Sequence, residues 1–406
     1  MDKKTKKKPW MKFRHRVVRI IAGGVLAGYS RWKYGITVEK FKEQGDRAYL
    51  VLYNHQTPFD QFFVGLAFHG PVYYLATEDI FSLGWVSNLI RWLVAPIPIK
   101  KQTMDLGAIR NCIQVAKEGG TIALAPEGNR TYSGKTEYMS PAIATLAKKI
   151  GLPIAIYRLE GGYGVEPRWS DTVRKGKMRA YVSRVIEPEE YKQMTNDELF
   201  SVIEKELYVD EAVADARFLS EVRAEYLERA IYVCPDCGLS EFESNGNEIE
   251  CKKCNKKIHY GEDKTLTGVG FDFPFSFVSQ WYDYQKEYMN GLDLRELTEK
   301  PVFEDIANIS EVIVYKKKQP ICSDVCVRLY GDRVTVEESS DKGMVFPFDD
   351  VAAMSVLGRN KLNIYYREKV YQIKGGKMFN ALKYVNFYFR YRNILKGDSD
   401  GKFLGL

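Results

Sequence analysis

The chain has 406 residues, 45% of them apolar and 28% charged, with a net charge of +7. That length suits about two or three domains with real cores, and the composition is that of ordinary globular protein. No uncharged run reaches the ~20 apolar residues of a spanning helix, and the short run Ile20–Ser30 lacks the cleavage site of a secretory signal.

Residues 1–34 set nine Lys or Arg against one Asp in the first twenty positions and interleave them with Trp10, Phe13, Val17, Ile20, Ile21 and Trp32. Such a stretch suits an interfacial helix, whose cations meet lipid phosphates while its apolar groups enter the headgroup boundary. Each Lys or Arg beside an anionic surface adds about 1 kcal/mol. A disordered basic tail that binds nucleic acid is the competing reading, but no base-stacking platform accompanies the charge.

From Gly35 to about Glu225, strand-like apolar runs alternate with helical patterns, which predicts an α/β sheet with flanking helices. The spacing predicts strands over 49–53, 72–76 and 121–125, and a helix over 105–117 stopped by Gly119-Gly120. The first strand ends at Asn54 and His55; Thr57 then suits a helix cap and Pro58 the first helical position. Asp60 lies close enough for its carboxylate to orient the His55 imidazole, the arrangement of a general base acting on a substrate hydroxyl. The same T-x-x-D spacing also reads as a capping box. The strand over 121–125 should deliver Glu127, Gly128 and Arg130 to the rim that carries His55.

Four blocks of this region resemble the glycerolipid acyltransferases of the 1-acylglycerol-3-phosphate acyltransferase (lysophosphatidate acyltransferase) family. They are Asn54-His55-Gln56-Thr57-Pro58-Phe59-Asp60; Ile97-Pro98-Ile99-Lys100-Lys101, with Lys101 where the family usually has Arg; Ala125-Pro126-Glu127-Gly128-Asn129-Arg130-Thr131; and Leu152-Pro153-Ile154-Ala155-Ile156. The resemblance covers residues 10 to 225. It implies His55 and Asp60 as catalytic residues, and a direct acyl transfer without a covalent acyl-enzyme. No G-x-S-x-G elbow occurs in the chain. Lys101, Glu127, Gly128 and Arg130 are the candidate substrate-binding residues, the two cations serving an acceptor phosphate; for Lys100-Lys101 and Arg130, solvated surface charge is the alternative. Gly134-Lys135-Thr136 imitates a phosphate-binding loop, but the first glycine that loop requires falls on Asn129.

Cys234-Pro-Asp-Cys237 and Cys251-Lys-Lys-Cys254 are paired C-x2-C knuckles, the signal of a structural zinc ribbon whose four thiolates close the coordination sphere. Two disulfides are the alternative, and His259 reads as a bystander, with a spare ligand as the other reading. The aromatic-rich stretch after it, Phe271–Gly291, reads as a helix packed on a neighbour or on a membrane. Strand-like runs at 312–314, 325–329, 333–337, 344–347, 361–366 and 369–373, then a helix over 377–391, predict a small β-rich module with a C-terminal helix, pleckstrin-homology-like in outline. Lys316, Lys317 and Lys318 are candidates for lipid headgroups or for a solvated hairpin.

The expected organisation is a membrane-contacting segment (1–34), an acyltransferase domain (35–230), a zinc ribbon (231–262), an aromatic-rich linker helix (263–307), the β module (308–394) and a tail (395–406). The expected function is acyl transfer from a thioester, acyl-CoA or acyl-acyl carrier protein, to the free hydroxyl of 1-acylglycerol-3-phosphate, with a lipid acceptor, a membrane surface and an acyl carrier protein as partners and no nucleic acid. The expected place is the cytoplasmic face of a membrane, peripheral or monotopic. Glycerol-3-phosphate or another lysophospholipid as acceptor, and a non-catalytic lipid-binding scaffold, are the alternatives.

Overall fold

The structure, a computed structural model, describes residues 9–77, 80–82, 84–99, 106–213, 216–313, 318–337 and 343–397. The chain divides into two compact units. One comprises Met1–Glu127, Met139–Glu160 and Met178–Tyr208; the other comprises Gly128–Tyr138, Gly161–Lys177 and Val209–Leu406.

The first unit opens with α1 (Phe13–Tyr34), which runs unbroken through Gly23-Gly24 and stops at Gly35, whose left-handed φ of 59° and N–H bonded to the Arg31 carbonyl form a C-cap. There follow β1 (Ile36–Val38), β2 (Leu50–Tyr53), α2 (Asp60–Ala67), β3 (Val72–Thr77), α3 (Trp85–Val94), β4 (Ile97–Ile99), α4 (Leu106–Lys117), β5 (Thr121–Leu124), α5 (Ala142–Ile150), β6 (Ile154–Glu160) and β7 (Met178–Ile186). A further helix, Asn196–Leu207, starts at a capping box in which Thr195 and Glu198 satisfy each other's backbone amides. The strands form one sheet in the order β1-β7-β6-β2-β5-β3-β4. Every neighbouring pair is parallel except β6–β7.

β2 sits between β6 and β5 and is buried on both faces, which is why its sequence, LVLY, shows no polar alternation. Leu50, Leu52, Ile122, Ile154 and Ile156 pack with Cys112, Val115, Ile143, Ala147, Leu199 and Ile203 into one core. Each large aliphatic among them adds roughly 1.5–3 kcal/mol on burial. Between α4 and β5 the two glycines do different jobs: Gly119 takes a left-handed φ of 78°, while a Cβ on Gly120 would stand 2.7 Å from Val115 Cγ1.

Near the start of α1, His15 is 2% exposed and its Nδ1 lies 3.0 Å from the Tyr73 hydroxyl. Burial pushes its pKa below the ordinary 6.5, helped by Arg14 and Lys12. Above 6.5 the ring is neutral folded or unfolded; below it the unfolded chain takes a proton that the folded chain refuses, so acid destabilises the unit. Thermal melts should therefore fall between pH 7.5 and 5.5 in the wild type, and by less in His15→Gln.

In the second unit, β8 (Val233–Cys234) pairs with β9 (Gly238–Leu239). β10 (Phe242–Asn245), β11 (Glu248–Cys251), β12 (Lys257–Tyr260) and β13 (Leu266–Gly268) form an antiparallel sheet. A second, seven-stranded antiparallel sheet contains β14 (Phe303–Glu311), β15 (Gln319–Leu329), β16 (Arg333–Glu337), β17 (Met344–Pro347), β18 (Val351–Leu357), β19 (Lys361–Tyr366) and β20 (Lys369–Gly375), in the order β17-β16-β15-β14-β20-β19-β18. The helix Ala381–Leu395 covers it, and Asn380 caps that helix by accepting from the Lys383 amide.

The α/β sheet with flanking helices, the cysteine cluster and the β-rich module with a C-terminal helix are as the sequence predicts. Two local expectations in the β module need correction. Of the run at 312–314, Val312 and Ile313 lie beyond β14, which ends at Glu311, and are not in a strand; Val314 lies outside the described residues, as do Lys316 and Lys317. The C-terminal helix begins at Ala381 rather than Lys377, because Asn380 supplies the cap. Of the aromatic stretch, the packing reading holds. Trp281 and Tyr282 are fully buried, Phe273 stacks edge-on against Trp281 at 4.9 Å, and the indole N–H donates to the Val233 carbonyl at 2.8 Å.

Candidate functional site

β2 and β5 are parallel neighbours in a register that pairs Leu52 with Leu124. His55 and Glu127 lie three residues beyond those partners, so the register alone brings them to one sheet edge. The carboxylate Oε1 of Glu127 accepts from the His55 backbone N–H at 2.9 Å. On the other side of β2, Asn54 grips β6. Its side-chain amide donates to the Leu159 carbonyl and its carbonyl accepts from the Leu159 amide, both at 2.8 Å. The turn that carries His55 is thus held from both neighbouring strands.

His55 Nδ1 and Asp60 Oδ2 are 2.8 Å apart, and the Asp60 side chain is wholly buried. The same carboxylate accepts from the backbone amides of Gln56 (2.6 Å) and Thr57 (3.0 Å) and from the Thr57 hydroxyl (2.7 Å). The expected helix start at Thr57-Pro58 is corrected here. α2 begins at Asp60, and Thr57 and Pro58 form a turn in which the Thr57 hydroxyl accepts from the Phe59 amide at 3.2 Å. The capping-box reading falls with that helix start: the Thr57 hydroxyl accepts from the Phe59 amide and donates to the Asp60 carboxylate, and that one carboxylate holds both the turn and the ring.

An acceptor-only carboxylate on Nδ1 fixes the proton there in the neutral imidazole and leaves the lone pair on Nε2. The His55 side chain is 22% exposed, enough for that nitrogen to meet a substrate. Asp60→Asn keeps the shape but turns an N–H toward donors on the turn or toward Nδ1. It should lower turnover by about 10²-fold or more and also lower the melting temperature, since buried donors lose their acceptor at about 1–3 kcal/mol each. Steady-state kinetics and thermal melts check both.

Gly128 and Arg130 belong to the second unit. Gly128 has a φ of 70°, a conformation suited to glycine. Arg130 is 8% exposed, and its carbonyl accepts from Arg168 Nη1 at 2.8 Å. Lys101 lies outside the described residues. Sequence reasoning missed Asn54 as a clamp on β6 and Arg168 as the support of the Arg130 backbone. The signal for Asn54 was its place beside His55; Arg168 had none.

Also in the second unit, the sulfurs of Cys234, Cys237, Cys251 and Cys254 all lie within 4.8 Å of one another, a group that could hold a metal ion. Cys234 Sγ and Cys254 Sγ are 3.9 Å apart, close to the edge of about 3.8 Å that a tetrahedron of 2.3 Å metal–sulfur bonds requires and far from the ~2.05 Å of a disulfide. Each knuckle ends on a residue with positive φ, Gly238 at 69° and Asn255 at 58°, the two residue types that adopt it most easily. The donor set fits a closed, four-thiolate site. Among the described residues no other group of three or more His, Cys, Asp or Glu side chains comes within ligand range, and His259 lies apart, paired in β12 with Thr267. Cys112 is a core residue whose thiol burial pushes up to about 12.

Residues 36–157, which include β2, His55, Asp60 and Glu127, match the family model described as Acyltransferase. They form an acyltransferase-family domain. Among curated proteins, 1-acyl-sn-glycerol-3-phosphate acyltransferase BAT2, chloroplastic, of Brassica napus is 22% identical over 179 residues, 43% of this chain and 51% of its own. The chloroplastic LPAT1 enzyme of the same description from Arabidopsis thaliana is 21% identical over 179 residues, 43% of this chain and 49% of its own. The chain thus spans about half the length of the curated relatives it matches. The solved 1-acyl-sn-glycerophosphate acyltransferase PlsC of Thermotoga maritima aligns at a TM-score of 0.40 and 22% identity, over 48% of this chain and 80% of that one.

Proposed function

We propose that the acyltransferase domain transfers a fatty acyl group from a thioester to the free hydroxyl of a 1-acylglycerol-3-phosphate. The observation that carries this reading is the 2.8 Å contact between His55 Nδ1 and a buried Asp60 carboxylate that is itself fixed by the turn. In the proposed step His55 Nε2 takes the hydroxyl proton and the oxygen attacks the thioester carbonyl. The tetrahedral intermediate then collapses, and the thiolate leaves with the proton returned by the imidazolium. Asp60 stabilises that imidazolium. Glu127 fixes the backbone of His55 and, by the family resemblance, helps to position the acceptor; Gly128, Arg130 and Lys101 serve its phosphate. Acyl-CoA or acyl-acyl carrier protein is the donor, and the four cysteines hold a structural zinc.

A membrane surface as the working place is supported by the first unit. Phe13, Ile20, Ile21, Val25 and Trp32 on α1, with Trp85 and Trp92 on α3, are each at least half exposed. Arg14 ties the two helices together by donating to the Trp92 carbonyl at 2.7 Å while lying over its ring. Apolar side chains rimmed by Arg and Lys are the surface of an interfacial anchor. Among the described residues no helix is long and apolar enough to cross a membrane. The double variant Trp32→Ser/Trp85→Ser should bind anionic vesicles about ten-fold more weakly or worse in sedimentation assays, with wild-type turnover on a short-chain, monomeric acceptor.

The deciding assay offers the purified chain 1-acylglycerol-3-phosphate, glycerol-3-phosphate and other lysophospholipids, each with acyl-CoA and acyl-acyl carrier protein. Highest turnover on 1-acylglycerol-3-phosphate is expected. Preference for glycerol-3-phosphate or another lysophospholipid would move the acceptor, and vesicle binding without turnover on any pair would replace catalysis by a scaffold role.

A further inference from the structure

Asp60 splits its two carboxylate oxygens between tasks. Oδ2 serves the ring: it lies 2.8 Å from His55 Nδ1 and also accepts from the Gln56 amide at 2.6 Å. Oδ1 is served by Thr57, whose amide stands at 3.0 Å and whose hydroxyl donates at 2.7 Å. The amide is shared, since it is 3.0 Å from Oδ2 as well, so the hydroxyl is the donor that belongs to Oδ1 alone.

That hydroxyl has one direction open to it. Thr57 is wholly buried, and its oxygen already accepts from the Phe59 amide at 3.2 Å, which leaves its single proton for Asp60. Its β-branched side chain is stiff about χ1, so the oxygen is held in place from its own backbone. The carboxylate needs such a hold. An aspartate's last torsion has only a broad preference of its own, and donors gathered on Oδ2 leave the plane free to swing about that oxygen.

We propose that Thr57 is a positioning residue for the acyl transfer: its hydroxyl, by holding Oδ1, sets the plane of the Asp60 carboxylate and through it the tilt of the His55 ring that carries Nε2 to the acceptor hydroxyl. The inference rests on the general-base reading of His55 and adds a residue to it. A hydroxyl that only propped the turn would matter to the melting temperature and not to the turnover of the folded enzyme. One that aims the carboxylate lowers turnover at temperatures where the variant is fully folded, because a base displaced by a fraction of an ångström loses rate and not affinity.

The test compares the full chain with Thr57→Val, which keeps the shape and removes the hydroxyl, and with Thr57→Ser, which restores the hydroxyl, each assayed well below its melting temperature. Thr57→Val should lower kcat about ten-fold or more, with KM for 1-acylglycerol-3-phosphate and for the acyl donor within about two-fold, and Thr57→Ser should come back to within about three-fold of the wild type. Thr57→Ala takes the place of the valine variant if that protein does not fold. A second measurement is independent of turnover. The chain has four histidines, so in heteronuclear NMR of histidine-labelled protein the ring N–H signal that disappears in His55→Ala reports the bond to Asp60. That signal should move or broaden in Thr57→Val and return in Thr57→Ser. Wild-type kcat in folded Thr57→Val, or a His55 ring signal that the substitution leaves unchanged, would overturn the proposal and leave the hydroxyl as a prop of the turn. A serine variant as slow as the valine one would overturn the hydroxyl as the cause, in favour of the packing of the threonine methyl. A wild type inactive with every acceptor would overturn the acyl-transfer reading instead, and the ring signal would still decide whether Thr57 orients the pair.

Discussion

His55→Ala is expected to lower acyl transfer to 1-acylglycerol-3-phosphate by roughly 10²–10⁴-fold, the range that one positioned general base supplies, with vesicle binding at the wild-type level. Binding is expected to persist because the apolar side chains proposed to meet the membrane lie on α1 and α3, whereas His55 follows β2. The fold should persist as well. The clamps on this turn are the Asn54 amide and the Glu127 contact with the His55 backbone N–H, and alanine keeps both. The two failures are distinguishable. Loss of turnover together with a lowered melting temperature would mean that the turn, not the base, was removed. Unchanged turnover in a well-folded His55→Ala protein would remove general-base catalysis by this residue and favour the scaffold.

The site was legible in the sequence where its residues are neighbours and dim where they are not. His55 and Asp60 are five positions apart, so a single turn brings them together, and their spacing announced the contact that the structure contains. Glu127 was legible through its place just past a strand end. Its bond to the His55 amide depends on β2 and β5 being paired with Leu52 opposite Leu124, which no local pattern states. The helix start was misjudged by propensity: Thr57 and Pro58 suit a cap and a first turn, but Asp60 pulls the Thr57 amide and hydroxyl into a separate turn and takes the first helical position itself.

In the β module, β16, β17 and β19 are delimited to the residue, β16 and β19 through a polar–apolar alternation that the wholly apolar β17, MVFP, lacks. β18, VAAMSVL, is buried along most of its length beneath the helix Ala381–Leu395, whose Tyr388 hydroxyl donates to the Val351 carbonyl, and so lacks the polar alternation that betrays a strand. β14, FEDIANISE, alternates but breaks its own rhythm at register shifts between Ala307 and Ser310. Tertiary cover and bulges are what short-range periodicity does not report.

Removing the metal that the four cysteines are proposed to hold should undo the ribbon and loosen its surroundings. A structural zinc supplies roughly 10–16 kcal/mol of apparent binding free energy, as much as the whole stability of an ordinary domain, about 5–15 kcal/mol. β8–β9 and β10–β13 are strands of two to four residues with little core of their own. Trp281 is the natural reporter. It is fully buried, its N–H is bonded to the carbonyl of Val233 immediately before Cys234, and its ring meets Phe242 at 5.4 Å. Either Cys251→Ser or extraction with a tight chelator should red-shift the part of the tryptophan emission that disappears in Trp281→Phe, and should expose the region from Val209 onward to protease. Metal analysis of the untreated protein should give one zinc per chain. Full protease resistance and an unshifted emission in a verified metal-free protein would show that these sulfurs fold without an ion, and the cluster would then be reread as a set of packed thiols.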